Sequence, residues 1–224
     1  MDKSRWVGLL WWLKWALIVL ALTLVAHLFY TLWPYPQGQA RGVAALQANL
    51  DQEWSLLVGL GGARFPPLAY AIHDGLYGLF FEAPGFDYML RRALDPAPMA
   101  GGDELMRKFV LGTREFWESA AVGLQLFSAR LAVLALTLPL LGLAALGGFA
   151  DGLVIWFLRR TGGGRESGFI YHRAKRAVAY SLVLTAAVYL VPPVPMNPRW
   201  VLPPLLLVFA SGIRFATAYF KKYL

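Results

Sequence analysis

Three histidines and one adjacent acid–base pair are the residues of this 224-residue chain with the most potential for chemistry. His27, His73 and His172 lie far apart, in an apolar run, a middle segment and a basic stretch, so we expect no shared metal site. His73 precedes Asp74, but neighbouring residues on a helix point in different directions. The chain has no cysteine, which excludes disulfide bonds and thiolate ligands. We therefore predict no catalytic residue, no metal and no cofactor.

A glycine-rich stretch at 162–167, with the sequence GGGRES, invites comparison with a phosphate-binding loop. A glycine-rich turn before a helix can present backbone N–H groups to an anion. The stretch lacks the G-x-x-x-x-G-K-[ST] spacing that places a lysine and a hydroxyl on the phosphates. We therefore favour a loop hinge formed by Gly162, Gly163 and Gly164, after which Ser167 caps the next helix.

Basic and aromatic residues surround this hinge and predict a contact surface for anionic lipid headgroups or for a partner protein. A Lys or Arg near an anionic membrane surface contributes about 1 kcal/mol to binding. The predicted contact residues are Arg159, Arg160, Arg165, Glu166, Tyr171, His172, Arg173, Lys175 and Arg176.

The elements that position these residues are predicted to be membrane helices. Apolar residues make up 58% of the chain and charged residues 15%, against about 25% in soluble domains. The apolar residues form runs near 20 residues, the length that crosses a bilayer core. We predict an all-α integral membrane protein with four transmembrane helices. Its parts are an N-terminal tail and first span (1–35), a helical extracytoplasmic segment (36–129), a second span (130–150), a basic cytoplasmic loop (151–176), and a hairpin of spans three and four with a cytoplasmic C-terminus (177–224).

Small residues in the second span predict close helix packing. Ala144, Gly148 and Gly152 form a small-xxx-small series, which permits close approach between membrane helices. We expect Pro139 to kink this span, and Arg214 in the fourth span to extend toward the interface. The predicted spans hold no acidic residue, which argues against a proton-coupled carrier or an ion pump.

The distribution of positive charge predicts the orientation. The N-terminus, the basic loop and the C-terminus together hold twelve Lys and Arg against three acids, and the opposite side holds nine against ten. Because cytoplasmic loops are enriched in Lys and Arg, we place both termini in the cytoplasm. The net charge of +8 is then a topology signal, and we expect no direct contact with nucleic acid.

The extracytoplasmic segment has a helical pattern. Val43, Leu46, Leu50, Trp54 and Leu57 form one apolar stripe that ends at a glycine cluster. Residues 65–81 fit a surface helix, a re-entrant piece or part of a small helical domain. A stripe through residues 105–124 predicts one continuous helix over 103–149, which we expect to pack on the 43–57 helix.

Four stretches resemble the integrating conjugative element membrane protein family: 148–153 (GFADGL), 159–160 (RR), 162–167 (GGGRES) and 171–176 (YHRAKR). The resemblance implies a bacterial inner-membrane component of conjugative DNA transfer, encoded among type IV secretion and coupling-protein genes, with no established catalytic activity. It leads to the hypothesis of a non-enzymatic accessory or scaffold subunit in a hetero- or homo-oligomeric complex, with a coupling ATPase as one expected partner.

Two hypotheses from other classes stay open. One is a small membrane enzyme that acts on lipid or envelope precursors through Glu166 and His172. The other is a lipid-binding or transport module, which requires a cavity among the spans.

Overall fold

The computed structural model describes residues 3–33, 42–95, 102–162 and 167–220, and within these ranges every regular element is helical. This confirms the predicted all-α class for the described part of the chain. A 3-10 turn (Gly62–Arg64) follows α2 and a π-helical turn (Gly78–Glu82) follows α3. The α-helices are α1 (Lys3–Leu32), α2 (Val43–Gly61), α3 (Phe65–Tyr77), α4 (Phe86–Leu94), α5 (Gly102–Gly112), α6 (Arg114–Leu136), α7 (Leu138–Thr161), α8 (Gly168–Leu190) and α9 (Pro198–Ala218).

The chain divides into two compact units. The first comprises Met1–Val133 together with the short segment Leu190–Pro195, and the second comprises Leu134–Tyr189 and Met196–Leu224. The turn between α8 and α9 therefore belongs to the first unit, although both helices belong mainly to the second.

The core of the first unit lies between α2 and α6. Leu46 and Leu50 of α2 pack with Val122 and Leu126 of α6, and Tyr30 of α1 packs against this cluster. The predicted apolar stripe of α2 and its contact with the later helix are thereby confirmed. The stripe predicted through residues 105–124 is wrong in its first half, since the residues before Thr113 belong to a separate helix and Leu105 is 75% exposed.

Residues 65–81 pack on α2 as part of this helical unit. Phe65 is buried, and the Trp54 ring lies 5.2 Å from the rings of both Phe65 and Tyr70. Gly62 makes the preceding turn with a positive φ of 57°, a conformation that suits glycine. Of the three alternatives for this segment, the structure favours part of a small helical domain.

The prediction of one helix over 103–149 is wrong, because breaks occur at Thr113 and Thr137. Proline lacks an N–H group and is tolerated in the first turn of a helix. The helix α7 therefore restarts at Leu138, with Pro139 in its first turn.

The helix α7 continues past residue 150, where we predicted the second span to end, and reaches Thr161. The region 151–176, which we expected to be a loop, is helical up to Thr161 and again from Gly168. Asp151 lies inside the helix, and its carboxylate is paired with Arg214 of α9.

Four described helices are long and apolar enough to cross a membrane: Leu10–Leu32 of α1, α6, α7 and α9. The number agrees with the sequence prediction, but the four include α6 and not α8, the helix that holds the expected span at 177–190. Early charges in α8, at Arg173, Lys175 and Arg176, shorten its apolar stretch. The apolar residues of α6 also form protein core, since 61% of its apolar stretch is buried in the protein. The corresponding shares are 11% for α7 and 17% for α9.

Candidate functional site

The small residues of α7 form a close contact with α9 in the second unit. Gly148 and Gly152 are buried, and a Cβ atom at either position would collide with α9 backbone, at the carbonyl groups of Ala210 and Arg214 respectively. Ala144, the third member of the series, is half-buried. Glycine at these two positions therefore lets the helices approach to backbone contact.

An ion pair between Asp151 of α7 and Arg214 of α9 lies beside this contact. The side chain of Arg214, which we expected to extend toward the interface, has its guanidinium paired with this carboxylate. The expectation of acid-free spans is wrong, since α7 continues past Asp151. The Asp151 carboxylate and the Arg214 guanidinium neutralise each other. This pairing reduces the free-energy cost of placing either charge near a bilayer.

The C-terminal ends of α7 and α9 meet the N-terminal turn of α8 around Phe220. Arg159 donates from Nη1 to the carbonyl oxygen of Ala218 at 2.7 Å, and its guanidinium lies 4.0 Å from the centre of the Tyr219 ring. Trp156 donates from Nε1 to the carbonyl oxygen of Phe220 at 3.2 Å. These bonds satisfy carbonyl groups that the end of a helix leaves without partners.

An open apolar cleft of about 530 Å³ lies where these helix ends meet. The Arg160 guanidinium stands 5.3 Å from the Trp156 ring, and the Tyr171 ring stands 5.8 Å from that of Phe220. The cleft thus brings together two of the predicted contact residues, Arg160 and Tyr171. The described residues that line it are Phe149, Leu153, Trp156, Arg160, Tyr171, Ala216, Thr217 and Phe220.

Four other predicted contact residues lie at the start of α8, and the predicted glycine hinge precedes that helix. The first turns of α8 expose His172, Arg173, Lys175 and Arg176, and Arg173 lies 4.4 Å from the centre of the Phe169 ring. Gly162 ends α7 by donating to the Leu158 carbonyl, and Ser167 accepts from the N–H of Ile170 as a cap of α8. Gly163, Gly164, Arg165 and Glu166 lie outside the described residues.

A buried ion pair in the first unit was missed by the sequence analysis. Arg130 of α6 is fully buried and donates to both carboxylate oxygens of Glu53 of α2, at 2.7 and 2.6 Å. The same guanidinium donates to the carbonyl oxygens of Pro192 at 2.5 Å and Val194 at 2.7 Å, with a longer bond to Leu190 at 3.4 Å. One side chain therefore ties α2, α6 and the segment Leu190–Pro195 together.

His27 is also buried in the first unit. Its Nδ1 donates to the Thr23 carbonyl at 2.6 Å, and its ring packs against Gly123, where an added Cβ atom would lie 3.3 Å away. Its Nε2 has no hydrogen-bond partner among the described residues. The geometry is that of a packing residue at a close helix contact.

His73 and Asp74 do approach each other, contrary to the expectation for helix neighbours, with Nδ1 and Oδ1 3.2 Å apart. They line a cleft of about 480 Å³ on the α2–α3 side of the first unit, together with Asp51, Trp54 and other residues. Asp74 is largely exposed, with 77% of its side chain accessible, so solvent screens the pair.

A second carboxylate cluster joins the π-helical turn region to α4. Tyr77 donates to one oxygen of Asp87 at 2.8 Å and Arg91 donates to the other at 2.7 Å. The hydrogen bond from Tyr77 and the charge of Arg91 hold the pKa of Asp87 below its usual range. Burial and the bond to Asp87 raise the pKa of the Tyr77 hydroxyl.

In the part of the chain that the structure describes, no group of three or more His, Asp or Glu lies close enough to hold a metal ion. No curated protein and no solved structure matches the chain. The model of the family "IncC plasmid conjugative DNA transfer protein DtrJ-like" matches residues 52–221, a range that includes Glu53, Arg130 and all of α7 to α9. The match covers well over half of the chain and bears out the resemblance to conjugation-associated proteins. The chain therefore belongs to the DtrJ-like family of conjugative DNA transfer proteins.

Proposed function

We propose that this protein is a non-enzymatic inner-membrane subunit of the conjugation machinery that docks partner proteins through the basic first turns of α8. The observation that carries the proposal is the exposure of Arg173, Lys175 and Arg176 on one short stretch of helix. Each of these side chains is available to an acidic surface of a partner. The chain's family supplies the setting, conjugative DNA transfer.

Insertion in the membrane is supported by the surfaces of the apolar helices. Exposed leucines lie along α7 at Leu138, Leu143 and Leu146, where they are 60 to 65% accessible. A soluble protein rarely exposes contiguous apolar area on this scale. Exposed apolar surfaces of this kind are suited to contact with lipid chains.

The proposed orientation places both termini and the basic turns of α8 in the cytoplasm. An even number of crossings returns the chain to its starting side, and the proposed crossings are α1, α7, α8 and α9. The ends of α7 and α9 meet the start of α8, so α8 runs back between them. The helix α6 is left out of this set because 61% of its apolar window is buried inside the protein. The side richer in Lys and Arg faces the cytoplasm by the positive-inside rule. This places the basic turns where a cytoplasmic ATPase is accessible, and we propose the coupling ATPase as a partner in a hetero- or homo-oligomeric complex.

The absence of catalysis is part of the proposal. It is supported by the engagement of several carboxylates with cations: Glu53 with Arg130, Asp151 with Arg214, and Asp87 with Arg91. A carboxylate held by a guanidinium is a poor general base, because the charge favours its ionised, hydrogen-bonded form.

The proposal is tested with the triple variant R173Q/K175Q/R176Q in cells whose own copy is deleted. We expect at least a tenfold drop in transfer frequency, and loss of secretion or coupling subunits from material purified with a tag, at an unchanged protein level. The matched control is R64Q/K108Q/R199Q, which removes the same charge from exposed residues elsewhere in the chain.

Three results would overturn the proposal. One is a deletion that leaves the transfer frequency unchanged. A second is purification from native membranes that recovers no secretion or coupling subunit with the unaltered chain. The third comes from the two triple variants. Equal defects in the two triple variants would assign the effect to total charge and refute docking through α8.

A further inference from the structure

We propose that the apolar cleft at the ends of α7 and α9 binds one molecule of an anionic phospholipid, with an acyl chain against the cleft wall and the phosphate at Arg160. The inference rests on the proposed function only in placing these helix ends at a membrane surface. It adds a defined binding site to the exposed basic turns that dock proteins.

The walls of the cleft fit a hydrocarbon chain. Phe149, Leu153 and Ala216 present apolar surface, and the volume of about 530 Å³ lies within the range of small-molecule sites. Both α7 and α9 are apolar enough to cross a bilayer, so the cleft lies at the end of two candidate spans. That depth is where acyl chains join their headgroups.

The rim of the cleft fits a phosphate group. Arg160 is exposed and held over the Trp156 ring at 5.3 Å, which fixes the guanidinium at the mouth and leaves its N–H donors accessible. A guanidinium forms paired hydrogen bonds to phosphate oxygens. Tyr171 lies on the same rim, and tyrosine and tryptophan favour the headgroup level.

Charge selects the kind of lipid. Arg160 is the charged residue among the described residues that line the cleft, and no carboxylate lines it with Arg160. The neighbouring Arg159 is turned away to the Ala218 carbonyl and the Tyr219 ring. A zwitterionic lipid would place its ammonium group beside Arg160 without an acidic partner, whereas a phosphatidylglycerol headgroup would not.

The experiment measures lipid binding to the purified full-length protein by native mass spectrometry, with phosphatidylglycerol and phosphatidylcholine of the same chain length. We expect one tightly bound phosphatidylglycerol and a preference over phosphatidylcholine. R160Q should reduce that preference about fivefold, the effect of one cation near an anionic surface. R64Q is the matched control, since it removes the same charge from an exposed residue outside the cleft, and should leave the preference unchanged.

A second variant tests the apolar wall. A216W fills the cleft and should abolish the tight binding of both lipids, whereas A177W, on the exposed side of α8, should not. Millimolar inorganic phosphate should not displace the lipid, because it lacks the acyl chain.

Equal losses in R160Q and R64Q, unchanged binding in A216W, or displacement by phosphate alone would each overturn the assignment. The binding assay uses purified protein, so its result is independent of the transfer assay. Intact lipid binding in R173Q/K175Q/R176Q with lost transfer would separate the lipid site from partner docking.

Discussion

Replacing Arg130 with methionine should destabilise the protein severely, because the change leaves the carboxylate of Glu53 buried without its cation. The pair is inaccessible to solvent on both sides, and Arg130 meets both oxygens of Glu53 at 2.6 to 2.7 Å. Removal of one partner from such a pair costs about 3–5 kcal/mol. The loss approaches the whole stability of a typical domain, about 5–15 kcal/mol.

The double variant E53L/R130M should recover most of this loss. It leaves no buried charge, and apolar replacement of a buried pair is often close to neutral. The carbonyl groups of Pro192 and Val194 lose their donor, but both residues are partly accessible and water can replace it. We therefore expect a coupling free energy of about 3 kcal/mol between the two positions.

The assay is thermal unfolding of the purified full-length protein in one detergent, followed by hydrogen exchange of residues 190–195. R130M should lower Tm by roughly 10 °C, given about 2–4 °C per kcal/mol at this size. E53Q should also lower Tm, whereas exchange in 190–195 should rise more in R130M, since of these two side chains Arg130 is the one that donates to that segment.

Additive effects of E53L and R130M would refute the reasoning, because additivity means that the two side chains do not depend on each other. A loss below about 1 kcal/mol in R130M would refute it as well, since that is the size expected for an exposed pair.

The contact between α7 and α9 gives a second prediction: G148V should destabilise the protein by about 1–3 kcal/mol because its side chain meets the Ala210 carbonyl, whereas G147V, in open space one residue away, should cost only its helix propensity. Equal melting temperatures of the two variants would contradict the close contact. The third prediction concerns pH: because the Tyr77 hydrogen bond and the Arg91 charge lower the pKa of Asp87, its contribution to stability is present above the usual pKa of an aspartate and is lost as the pH falls through the lowered pKa. Y77F should move the carboxyl resonance of Asp87 in NMR back toward the usual value, and an unchanged titration would contradict the role of the hydroxyl.

Hydrophobic periodicity predicted the stripe on α2 because that signal is local. Leu46, Leu50 and Leu57 recur at helical spacing, and burying them requires only an apolar partner. The ends of the helices were harder to predict. Asp151 reads as the end of a span in the sequence, whereas in the structure α7 continues through it and its carboxylate pairs with the distant Arg214.

The buried pair had a signal in the sequence that could have been used. Glu53 lies three residues after Leu50 and four before Leu57, so it falls on the apolar stripe, and Arg130 stands within the buried run from Val122 to Val133. Two opposite charges on apolar faces predict a pair. Their partners in the turn after α8 were beyond prediction, because no local pattern links a guanidinium to carbonyl groups 62 and 64 residues away.

The cleft around Phe220 depends on three helix ends that meet, so it was predictable only in part. Clusters of Arg and aromatic residues marked the membrane interface. Sequence alone did not show that Arg159 turns toward a carbonyl group while Arg160 stands at the mouth of a cavity.

The guanidinium of Arg130 also sets an order of events during synthesis. Glu53 leaves the ribosome 77 residues before Arg130, and the carbonyl groups of Pro192 and Val194 follow 62 and 64 residues later. At about 5–20 residues per second, roughly 3 to 13 seconds pass between the synthesis of Arg130 and that of these carbonyl groups. Glu53 is already present during this interval. During that interval Arg130 lacks the carbonyl acceptors of Pro192 and Val194. Chaperones or membrane proteases that recognise incompletely folded chains can act on the nascent protein in those seconds.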